Sequence, residues 1–302
     1  MADSQVTIVV VNWNLKEETQ NCLRSLAQLD HPNKTIVVDN GSNDGSTEYI
    51  SHHFPQIELI TLPSNVGFGA ACNLAISQAL KDTACEYIFL LNNDAVTHPN
   101  SLSELMKAAL AHPEVGIFGP KVYYRDDPDR IWYAGARRHW GILVATDTGR
   151  GQIDRGQFNT LREVDYVFGV AMLIRRSVFE RIGLFDERFF LYLEDLDFCL
   201  RAQAAGFLLL FVPWAQVWHQ GFASTTHNVS LRRYHKARSM TYFLRKHVSC
   251  AMSLLMFVYW VLTYLWEIVA DLASGELGVI RACWFGFTSG LVETPRRAKI
   301  DK

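Results

Sequence analysis

The stretch Val6-Thr7-Ile8-Val9-Val10-Val11-Asn12-Trp13-Asn14 decides the fold, because a run of apolar, mostly β-branched residues stops abruptly at an asparagine. Its first six residues are predicted to form a buried strand. Thr35–Val38 and Tyr87–Leu91 repeat this pattern and lead into the polar clusters Asp39–Ser46 and Asn92–Asp94. The carboxyl ends of parallel strands lie at one edge of a sheet, where such sheets bind ligands. The sequence therefore predicts a ligand site assembled from three polar strand ends.

The segments around these strands alternate between helix and strand patterns. Apolar spacing predicts helices at Glu17–Leu29, Thr47–His53 and Ala70–Lys81, and further strands at Ile57–Thr61, Val164–Ile174 and Leu208–Trp214. This alternation predicts an α/β fold with a mainly parallel sheet flanked by helices. Between about Pro120 and Glu163 the pattern weakens, and we expect long loops that face the substrate rather than a core.

Composition limits the class of protein. With 302 residues, 49% of them hydrophobic, the chain is long enough for one large domain and an appendage. Its formal net charge of -2 gives no electrostatic reason to expect nucleic acid as a partner. Six cysteines without a C-x-x-C pair favour reduced thiols in a cytosolic setting. No basic segment precedes an apolar run at the N-terminus, so we expect the catalytic part to stay in the cytoplasm.

The segment Phe190–Arg201 places three carboxylates, Glu194, Asp195 and Asp197, between bulky apolar residues. An unpaired carboxylate in apolar surroundings costs several kcal/mol or becomes neutral. A chain keeps such a cluster where it needs a base, a cation site or an acceptor for a hydroxyl group. The alternative is a solvated helix N-terminus, where acids complement the helix dipole.

Two loops have features suited to a nucleotide. Asp39 ends a buried strand, where its carboxylate suits ribose hydroxyls or the N–H of a base, although a plain turn rich in Asn and Asp remains open. The loop Asn65–Asn73 contains Gly67 and Gly69 and enters a helix. Glycines permit close backbone approach to a ligand, and a helix start favours phosphate. Simple turn geometry is the alternative for this loop.

A possible cation site follows a later strand. Asn92-Asn93-Asp94 sets a carboxylate beside two amides, and such oxygen ligands suit Mg²⁺ or Mn²⁺ bridging two phosphates. His219 closes another strand, where a neutral imidazole can complete the coordination. A single histidine is more often structural, so this assignment depends on the acids.

Together these segments resemble the inverting glycosyltransferases of family 2, which have the nucleotide-diphospho-sugar-binding fold called GT-A, and in particular the rhamnosyltransferase-like branch. The resemblance extends from Val6–Asn14 to Tyr234–Arg238. It includes the pieces Val37–Ser42, Asn65–Gly69, Leu91–Asp94, Gly151–Phe158, Val164-Asp165, Gly169 and Glu194–Asp197.

The resemblance implies a role for each site residue. Asp195 would be the general base that deprotonates the acceptor hydroxyl, and Asp94 and His219 would hold a divalent cation, Mg²⁺ or Mn²⁺. The residues implied to bind the nucleotide-sugar are Val10, Asn12, Asn14, Asp39, Asn65, Gly67, Asn93 and Arg238. The residues implied to shape the acceptor side are Glu194, Asp197 and Gly169.

Two positions depart from the family pattern. The family's D-x-D is Asn92-Asn93-Asp94 here, so one carboxylate is lost and we expect modest affinity for the metal. Phe168 replaces the small, polar residue that usually precedes Gly-Ala, so the acceptor fit is expected to differ.

The C-terminal part differs from the rest. Ser249–Ala270 has roughly the 20 residues that a bilayer crossing requires, and Leu277–Val292 is a second apolar segment. We therefore expect a catalytic domain over residues 1–246 and membrane-associated hydrophobic helices over residues 247–302. Basic residues at the extreme C-terminus favour a shallow hairpin or in-plane anchor on the cytoplasmic face of the cell membrane. A single crossing, a buried helix and a homodimer contact stay open.

The expected reaction follows from the resemblance. The chain would move rhamnose from dTDP-rhamnose to a glycan or lipid-linked glycan acceptor in cell-surface polysaccharide synthesis. In a single displacement, one face of the sugar needs a carboxylate base and the other needs a cation, which suits Asp195 and Asp94. The alternatives are a UDP- or GDP-hexose donor, or a non-catalytic, membrane-tethered protein that binds a nucleotide-sugar.

Overall fold

The computed structural model describes residues 5–139, 142–221, 229–248 and 277–293. Within these ranges the strands are β1 (Gln5–Asn12), β2 (Asn33–Asp39), β3 (Glu58–Thr61), β4 (Cys85–Asn92), β5 (Ala95–Thr97), β6 (Val115–Tyr124), β7 (Ile131–Tyr133), β8 (Ala136–His139), β9 (Ile142–Asp147), β10 (Arg162–Glu163), β11 (Ala171–Arg175) and β12 (Leu208–His219). The helices are α1 (Lys16–Leu26), α2 (Ser46–His53), α3 (Phe68–Ala79), α4 (Ser101–Ala111), α5 (Arg176–Ile182), α6 (Glu194–Ala204), α7 (Val229–His247) and α8 (Leu277–Val292).

The main sheet is mixed but mostly parallel. Its strands follow the order β10-β12-β6-β11-β4-β1-β2-β3, with β5 paired to β12 and β7 paired to β6. Strands β1 to β4 are parallel to their neighbours among themselves, and β12 is parallel to β6. Strand β11 runs antiparallel between β4 and β6. Strands β8 and β9 form a separate two-stranded sheet. The predicted α/β class with a mainly parallel sheet is confirmed.

Strand register brings the three polar strand ends together. Strand β1 lies between β2 and β4, and its register pairs Asn12 with Asp39 and Val11 with Asn92. The residues behind these ends, including Val10 at 0% exposure, belong to the buried core. The sheet therefore places the polar clusters side by side at one edge, as the sequence predicts.

The expectation of long loops between Pro120 and Glu163 is wrong in part, because only residues 125–130 and 148–161 are irregular over any length. This part of the chain contains the end of β6 and all of β7 to β10, and Trp132 and Tyr133 are buried in the core. Charged residues interrupt the apolar runs of this stretch, so its strands cannot be recognised from the sequence pattern. Lys121, only 1% exposed, is paired with Asp154 through a contact of 2.8 Å. The strand predicted over Val164–Ile174 begins only at β11, because the chain before it turns toward α6.

Helices α7 and α8 pack against each other at the C-terminal end of the described chain. Gly286 and Gly290 allow a close approach, since a Cβ at Gly290 would lie 2.6 Å from the carbonyl oxygen of Arg238. Tyr242 and Phe243 anchor α7 in the main core. The predicted segment Ser249–Ala270 lies outside the described residues. Within the described ranges, no helix combines the length and the apolar character needed to cross a membrane.

Candidate active site

The fully buried side chain of Asn12 joins the strand ends into one hydrogen-bonded unit. Its amide nitrogen donates to Asp39 Oδ2 at 2.6 Å and to Ser46 Oγ at 2.8 Å. Its amide oxygen accepts hydrogen bonds from Thr19 at 2.6 Å and from Asn93 at 3.3 Å. Buried polar networks of this kind fix the side chains that they connect. The predicted nucleotide residues Asn12, Asp39 and Asn93 are therefore brought together.

The turn after Asp39 closes over this unit. Asp39 Oδ1 accepts a hydrogen bond from the backbone N–H of Ser42 at 3.0 Å, and Ser42 Oγ accepts one from the N–H of Asn14 at 2.8 Å. Asn14 has a φ of 58°, a left-handed conformation that asparagine tolerates better than most residues. The side chain of Val10 is buried in the core below this turn. A ligand at the turn would therefore contact the backbone of the residues that follow Val10, and not the Val10 side chain.

The glycine-bearing loop connects the nucleotide side to the start of α6. Asn65 Oδ1 accepts hydrogen bonds from Asn40 Nδ2 at 3.1 Å and from the N–H of Gly67 at 2.8 Å. Gly67 has a φ of 95°, and a Cβ there would lie 2.7 Å from the carbonyl oxygen of Phe190. The same oxygen accepts a hydrogen bond from Phe68 N at 2.9 Å. Only glycine permits this contact between the loop and the segment that leads into Glu194.

Asp94 and His219 form the second part of the site. Antiparallel pairing of β5 with β12 sets His219 opposite Ala95, next to Asp94. Asp94 Oδ1 lies 3.1 Å from His219 Nε2, and both side chains are buried. His219 Nδ1 has no hydrogen-bond partner among the described residues. The structure therefore brings together the two residues predicted to hold a cation.

The geometry of this pair fits an octahedral cation. Two neighbouring ligands, each about 2.1 Å from Mg²⁺, lie about 3 Å apart when they subtend a right angle. The described residues contain no group of three or more His, Cys, Asp or Glu side chains able to hold a metal ion. Two protein ligands are enough in nucleotide sites, because phosphate oxygens and waters complete the shell. A cation here would thus depend on a bound diphosphate.

Asp195 lies in the first turn of α6, after Tyr192 and Leu193 in left-handed conformations with φ near 70°. Its Oδ2 accepts hydrogen bonds from the Tyr166 hydroxyl at 2.6 Å and from the N–H of Gly169 at 2.8 Å. Burial raises the pKa of the Asp195 carboxyl above its ordinary value, although these hydrogen bonds act in the opposite direction. A carboxylate with a raised pKa is a stronger base than an exposed aspartate.

Glu194 lies beside Asp195 and is buried, whereas Asp195 is half-buried. Its Oε2 has no hydrogen-bond partner in the described part of the chain. Burial, together with the negative charge of Asp195, raises the pKa of Glu194 well above its usual range. A Cβ on Gly69 would lie 3.8 Å from Glu194 Cβ, so Glu194 borders the glycine-bearing loop. It therefore lies between the predicted donor and acceptor sides.

Asp197 has different surroundings. Its carboxylate is fully buried and contacts Arg201 at 2.8 Å, Lys246 at 2.6 Å and His247 at 2.6 Å. Burial alone would raise the pKa of Asp197, but His247, Arg201 and Lys246 outweigh it and keep that pKa below its ordinary value. These contacts join α6 to α7. The role of Asp197 on the acceptor side stays a prediction. In that role, Asp197 would act through its contacts between α6 and α7.

Arg238, predicted to contact the diphosphate, lies on α7. Its guanidinium pairs with Glu293 at 2.6 Å and donates to the carbonyl oxygen of Arg188 at 2.7 Å. The described contacts of Arg238 are thus with the segment before α6 and with the end of α8 rather than with Asp94 or His219. Its role at the diphosphate stays a prediction.

The cation pair and the base border one region. The backbone N–H of Asn92 donates to the carbonyl oxygen of Val170 at 2.9 Å, next to Gly169, which holds Asp195. A chain of ring contacts connects them, and we call its members, Trp132, Phe168 and Tyr166, the aromatic layer. The Trp132 ring lies 5.1 Å from the His219 ring and 5.0 Å from the Phe168 ring. The Phe168 ring lies 4.3 Å from that of Tyr166.

Sequence reasoning missed Tyr166 and Trp132. Tyr166 lies three residues before Gly169 in an apolar stretch, where its hydroxyl looks like part of a core strand. Trp132 falls in the region expected to be loop. The motif Val164-Asp165 directly precedes Tyr166, and it is the one sequence signal that could have drawn attention to this residue.

Comparison with known proteins assigns the chain to a family. A family model described as glycosyl transferase family 2 matches residues 7–183, more than half of the chain. The chain is similar to an N-acetylglucosaminyl-diphospho-decaprenol L-rhamnosyltransferase of Mycobacterium tuberculosis, with 29% identity over 258 residues, 76% of this chain and 81% of that protein. It is also similar to the dTDP-rhamnosyl transferase RfbF of Shigella flexneri, with 24% identity over 83% of this chain and 84% of that protein.

Solved structures share the fold. A mannosyltransferase from Pyrobaculum calidifontis in complex with GDP-Man and Mn²⁺ has a TM-score of 0.55 at 17% identity and covers 95% of this chain and 81% of its own. GalNAc-T7 with UDP, GalNAc and Mn²⁺ has a TM-score of 0.57 at 16% identity and covers 71% of this chain. The match includes 43% of the GalNAc-T7 chain, less than half of its length. These likenesses confirm the predicted GT-A fold.

Proposed function

Since the chain belongs to glycosyl transferase family 2, we propose that it moves rhamnose from dTDP-rhamnose, with inversion at the anomeric carbon, to a glycan or lipid-linked glycan for a cell-surface polysaccharide. The observation that carries this proposal is the arrangement of a carboxylate base, Asp195, across the aromatic layer from the Asp94–His219 pair. Such a division suits a single displacement at a sugar carbon.

Asp195 acts as the base in this proposal. The acceptor hydroxyl donates its proton to the Asp195 carboxylate while its oxygen attacks the anomeric carbon. The bond from that carbon to the diphosphate oxygen breaks, and the diphosphate takes the electron pair. The hydroxyl of Tyr166 and the N–H of Gly169 hold the carboxylate in place. Burial of Tyr166 raises its pKa well above its usual value, so it stays a donor.

Asp94 and His219 serve the leaving group. They would hold Mg²⁺ or Mn²⁺, which neutralises the charge that develops on the departing nucleoside diphosphate. The hydrogen bond from Asn12 keeps Asp39 oriented to recognise the nucleobase of the donor, and Asn93 belongs to the same hydrogen-bond network. The Mn²⁺ complexes of the two structural relatives support a divalent cation for this chain.

The names of the relatives support the choice of donor. Two of them, from M. tuberculosis and S. flexneri, are named as rhamnosyltransferases, and one name specifies dTDP-rhamnose. The M. tuberculosis name also specifies a sugar acceptor joined through a diphosphate to decaprenol. We therefore place dTDP-rhamnose before UDP- or GDP-hexoses, whose nucleotides occur in the structural relatives.

We also propose that the C-terminal helices hold the protein at the cytoplasmic face of the membrane, peripherally or shallowly inserted. Helix α8 exposes Trp284, Phe285 and Val292 at 64%, 56% and 83%. Exposed tryptophan and phenylalanine are typical of helices that lie in the membrane interface. A lipid-linked acceptor would then reach the active site from the membrane surface to which these helices hold the protein.

A donor screen tests the function. Purified protein is given dTDP-rhamnose, UDP-hexoses or GDP-mannose with a lipid-linked acceptor, and released nucleoside diphosphate is measured with Asp195→Asn as the inactive control. We expect release from dTDP-rhamnose by the wild type only, and an inverted anomer by NMR. Donor binding without release from any donor would instead favour a non-catalytic binding protein, the alternative that the missing carboxylate at Asn92 suggests.

A further inference from the structure

Helix α7 contacts the irregular stretch of chain that leads to the proposed base. We call this stretch, residues 186–193, the base segment; it ends directly before Glu194 and Asp195, which begin α6. Tyr192 and Leu193 have φ values of 71° and 70°, a left-handed conformation that is costly for such side chains. A backbone of this kind persists only where its surroundings hold it. Contacts from outside the base segment therefore decide where Asp195 lies.

Two neighbouring side chains of α7 donate hydrogen bonds to the backbone of the base segment. The Arg238 guanidinium donates to the carbonyl oxygen of Arg188 at 2.7 Å, and the Ser239 hydroxyl donates to that of Leu191 at 2.7 Å. Leu191 comes directly before the two left-handed residues, so the bond from Ser239 fixes the chain where this turn begins. Ser239 is fully buried, so its hydroxyl donates to the protein and not to bulk water.

The partner of Ser239 is unusual for a serine within a helix. Serine and threonine hydroxyls inside helices commonly bond the carbonyl oxygen four residues earlier. Thr241, two residues further along α7, does so and donates to the carbonyl oxygen of Ala237 at 2.8 Å. Ser239 donates away from its own helix instead. Its hydroxyl therefore serves the base segment and not the stability of α7 itself.

Other side chains of α7 hold the rest of the base segment. The rings of His235 and Phe190 are stacked, with their centres 4.6 Å apart. Lys246 lies 2.6 Å from Asp186, at the start of the base segment, and 2.6 Å from Asp197, in the first turn of α6. Helix α7 thus contacts the base segment from its start to the turn, and it also contacts the helix that follows. The left-handed turn is the part of this connection that Ser239 alone reaches by a described hydrogen bond from α7.

We propose that Ser239 is a positioning residue for the transfer reaction, and that α7 therefore belongs to the catalytic apparatus. The hydrogen bond from Ser239 to Leu191 keeps the left-handed turn in place. The turn in its place sets the Asp195 carboxylate against the N–H of Gly169. This inference rests on the proposed function, in which Asp195 takes the proton of the acceptor. A reacting group misplaced by about 1 Å can lower a rate about 100-fold, because proton transfer requires hydrogen-bond distance.

The experiment removes one buried hydroxyl of α7 at a time from the full-length protein. Ser239→Ala removes the donor to the base segment, and Ser239→Cys replaces it with a thiol, a weaker donor. The matched control is Thr241→Val, which removes a buried hydroxyl that donates to its own helix and keeps the shape of the side chain. Each variant is assayed with dTDP-rhamnose and the acceptor of the donor screen, at a temperature at which circular dichroism shows all of them folded.

We expect Ser239→Ala to lower kcat about tenfold or more, since the base is then less well placed. KM for dTDP-rhamnose should not change, because Asp39 and the Asp94–His219 pair are untouched. Ser239→Cys should recover part of the loss, and Thr241→Val should keep the kcat of the wild type. A wild-type kcat in Ser239→Ala overturns the proposal. An equal loss in Thr241→Val also overturns it, because any weakening of α7 would then explain the effect.

Hydrogen exchange separates this inference from the proposed function, because it needs no turnover. Exchange of the backbone N–H groups of residues 190–198 is followed by mass spectrometry in the protein without ligands. Ser239→Ala should exchange them about fivefold faster or more than the wild type, the effect of losing one hydrogen bond, and Thr241→Val should match the wild type. Unchanged exchange in Ser239→Ala overturns the inference even where transfer is observed. If no donor is turned over, the proposed function fails, and faster exchange in Ser239→Ala alone still supports the positioning role of Ser239.

Discussion

Asp195 and Asp197 are two residues apart at the start of α6, yet the structure gives them opposite surroundings. Asp195 accepts hydrogen bonds from neutral groups, and its burial raises its pKa. Asp197 is paired with Arg201, Lys246 and His247, which keep its pKa low despite burial. Both carboxylates share the same helix dipole. The difference therefore comes from the elements that pack on α6, which leave one carboxylate able to take a proton and keep the other charged.

The largest expected effect is the loss of turnover in Asp195→Asn. The amide keeps the shape of the side chain but cannot accept the acceptor's proton, so kcat should fall about 10²- to 10⁴-fold. Donor binding, measured by calorimetry, should stay close to that of the wild type because Asp39, Asn12 and Asp94 are untouched. Transfer at the wild-type rate would remove Asp195 from the mechanism.

Asp197→Asn should act on stability instead. It removes the carboxylate that pairs with the buried cationic groups of α6 and α7, of which Lys246 keeps its contact with Asp186 at 2.6 Å. Breaking a buried ion pair in this way costs about 3–5 kcal/mol. The free energy of unfolding of Asp197→Asn, measured in urea, should fall by about 3–5 kcal/mol, and its Tm should be lower than that of the wild type.

Asp195→Asn is the matched control for this measurement. Because burial raises the pKa of Asp195, its ionised form is disfavoured in the folded protein. The amide removes this charge penalty, but its NH2 group faces a backbone N–H at either oxygen position, so one hydrogen bond is lost and the free energy of unfolding should fall less than in Asp197→Asn. If the two variants lost equal stability, the contrast between the two carboxylates would not hold.

Asp94→Ala tests the cation site. Loss of one of two protein ligands should weaken Mn²⁺ binding at least about tenfold, since even the outer partners of metal ligands contribute that much. The measurement is a Mn²⁺ titration with dTDP present, because the described residues supply only two ligands. The control is Asp126→Ala, an exposed carboxylate that accepts a hydrogen bond from Gln220 beside His219. Identical Mn²⁺ affinity in Asp94→Ala and the wild type would contradict the assignment.

The strand ends of this site could be predicted from sequence, and the surroundings of α6 could not. Asn12, Asp39 and Asn92 each follow an apolar run, so strand pattern and parallel topology suffice to place these strand ends together. Lys246 and His247 lie about fifty residues after Asp197, and Tyr166 lies 29 residues before Asp195. No local pattern records such contacts, because tertiary packing alone sets them. The local pattern therefore predicts a cluster of three acids without showing which is the base, and only the family resemblance pointed to Asp195.

Tyr166→Phe should have the smallest effect and the most specific one. The Tyr166 hydroxyl stabilises the ionised form of Asp195 and so lowers its pKa, against the larger effect of burial. Its removal should raise that pKa, because a hydrogen bond that favours the ionised form is lost. Because the base must be ionised, kcat/KM falls as the pH drops through this pKa, and the acid limb of the profile should move to higher pH. A shift to lower pH, or no shift with a reduced plateau, would mean that Tyr166 orients the carboxylate without tuning its charge.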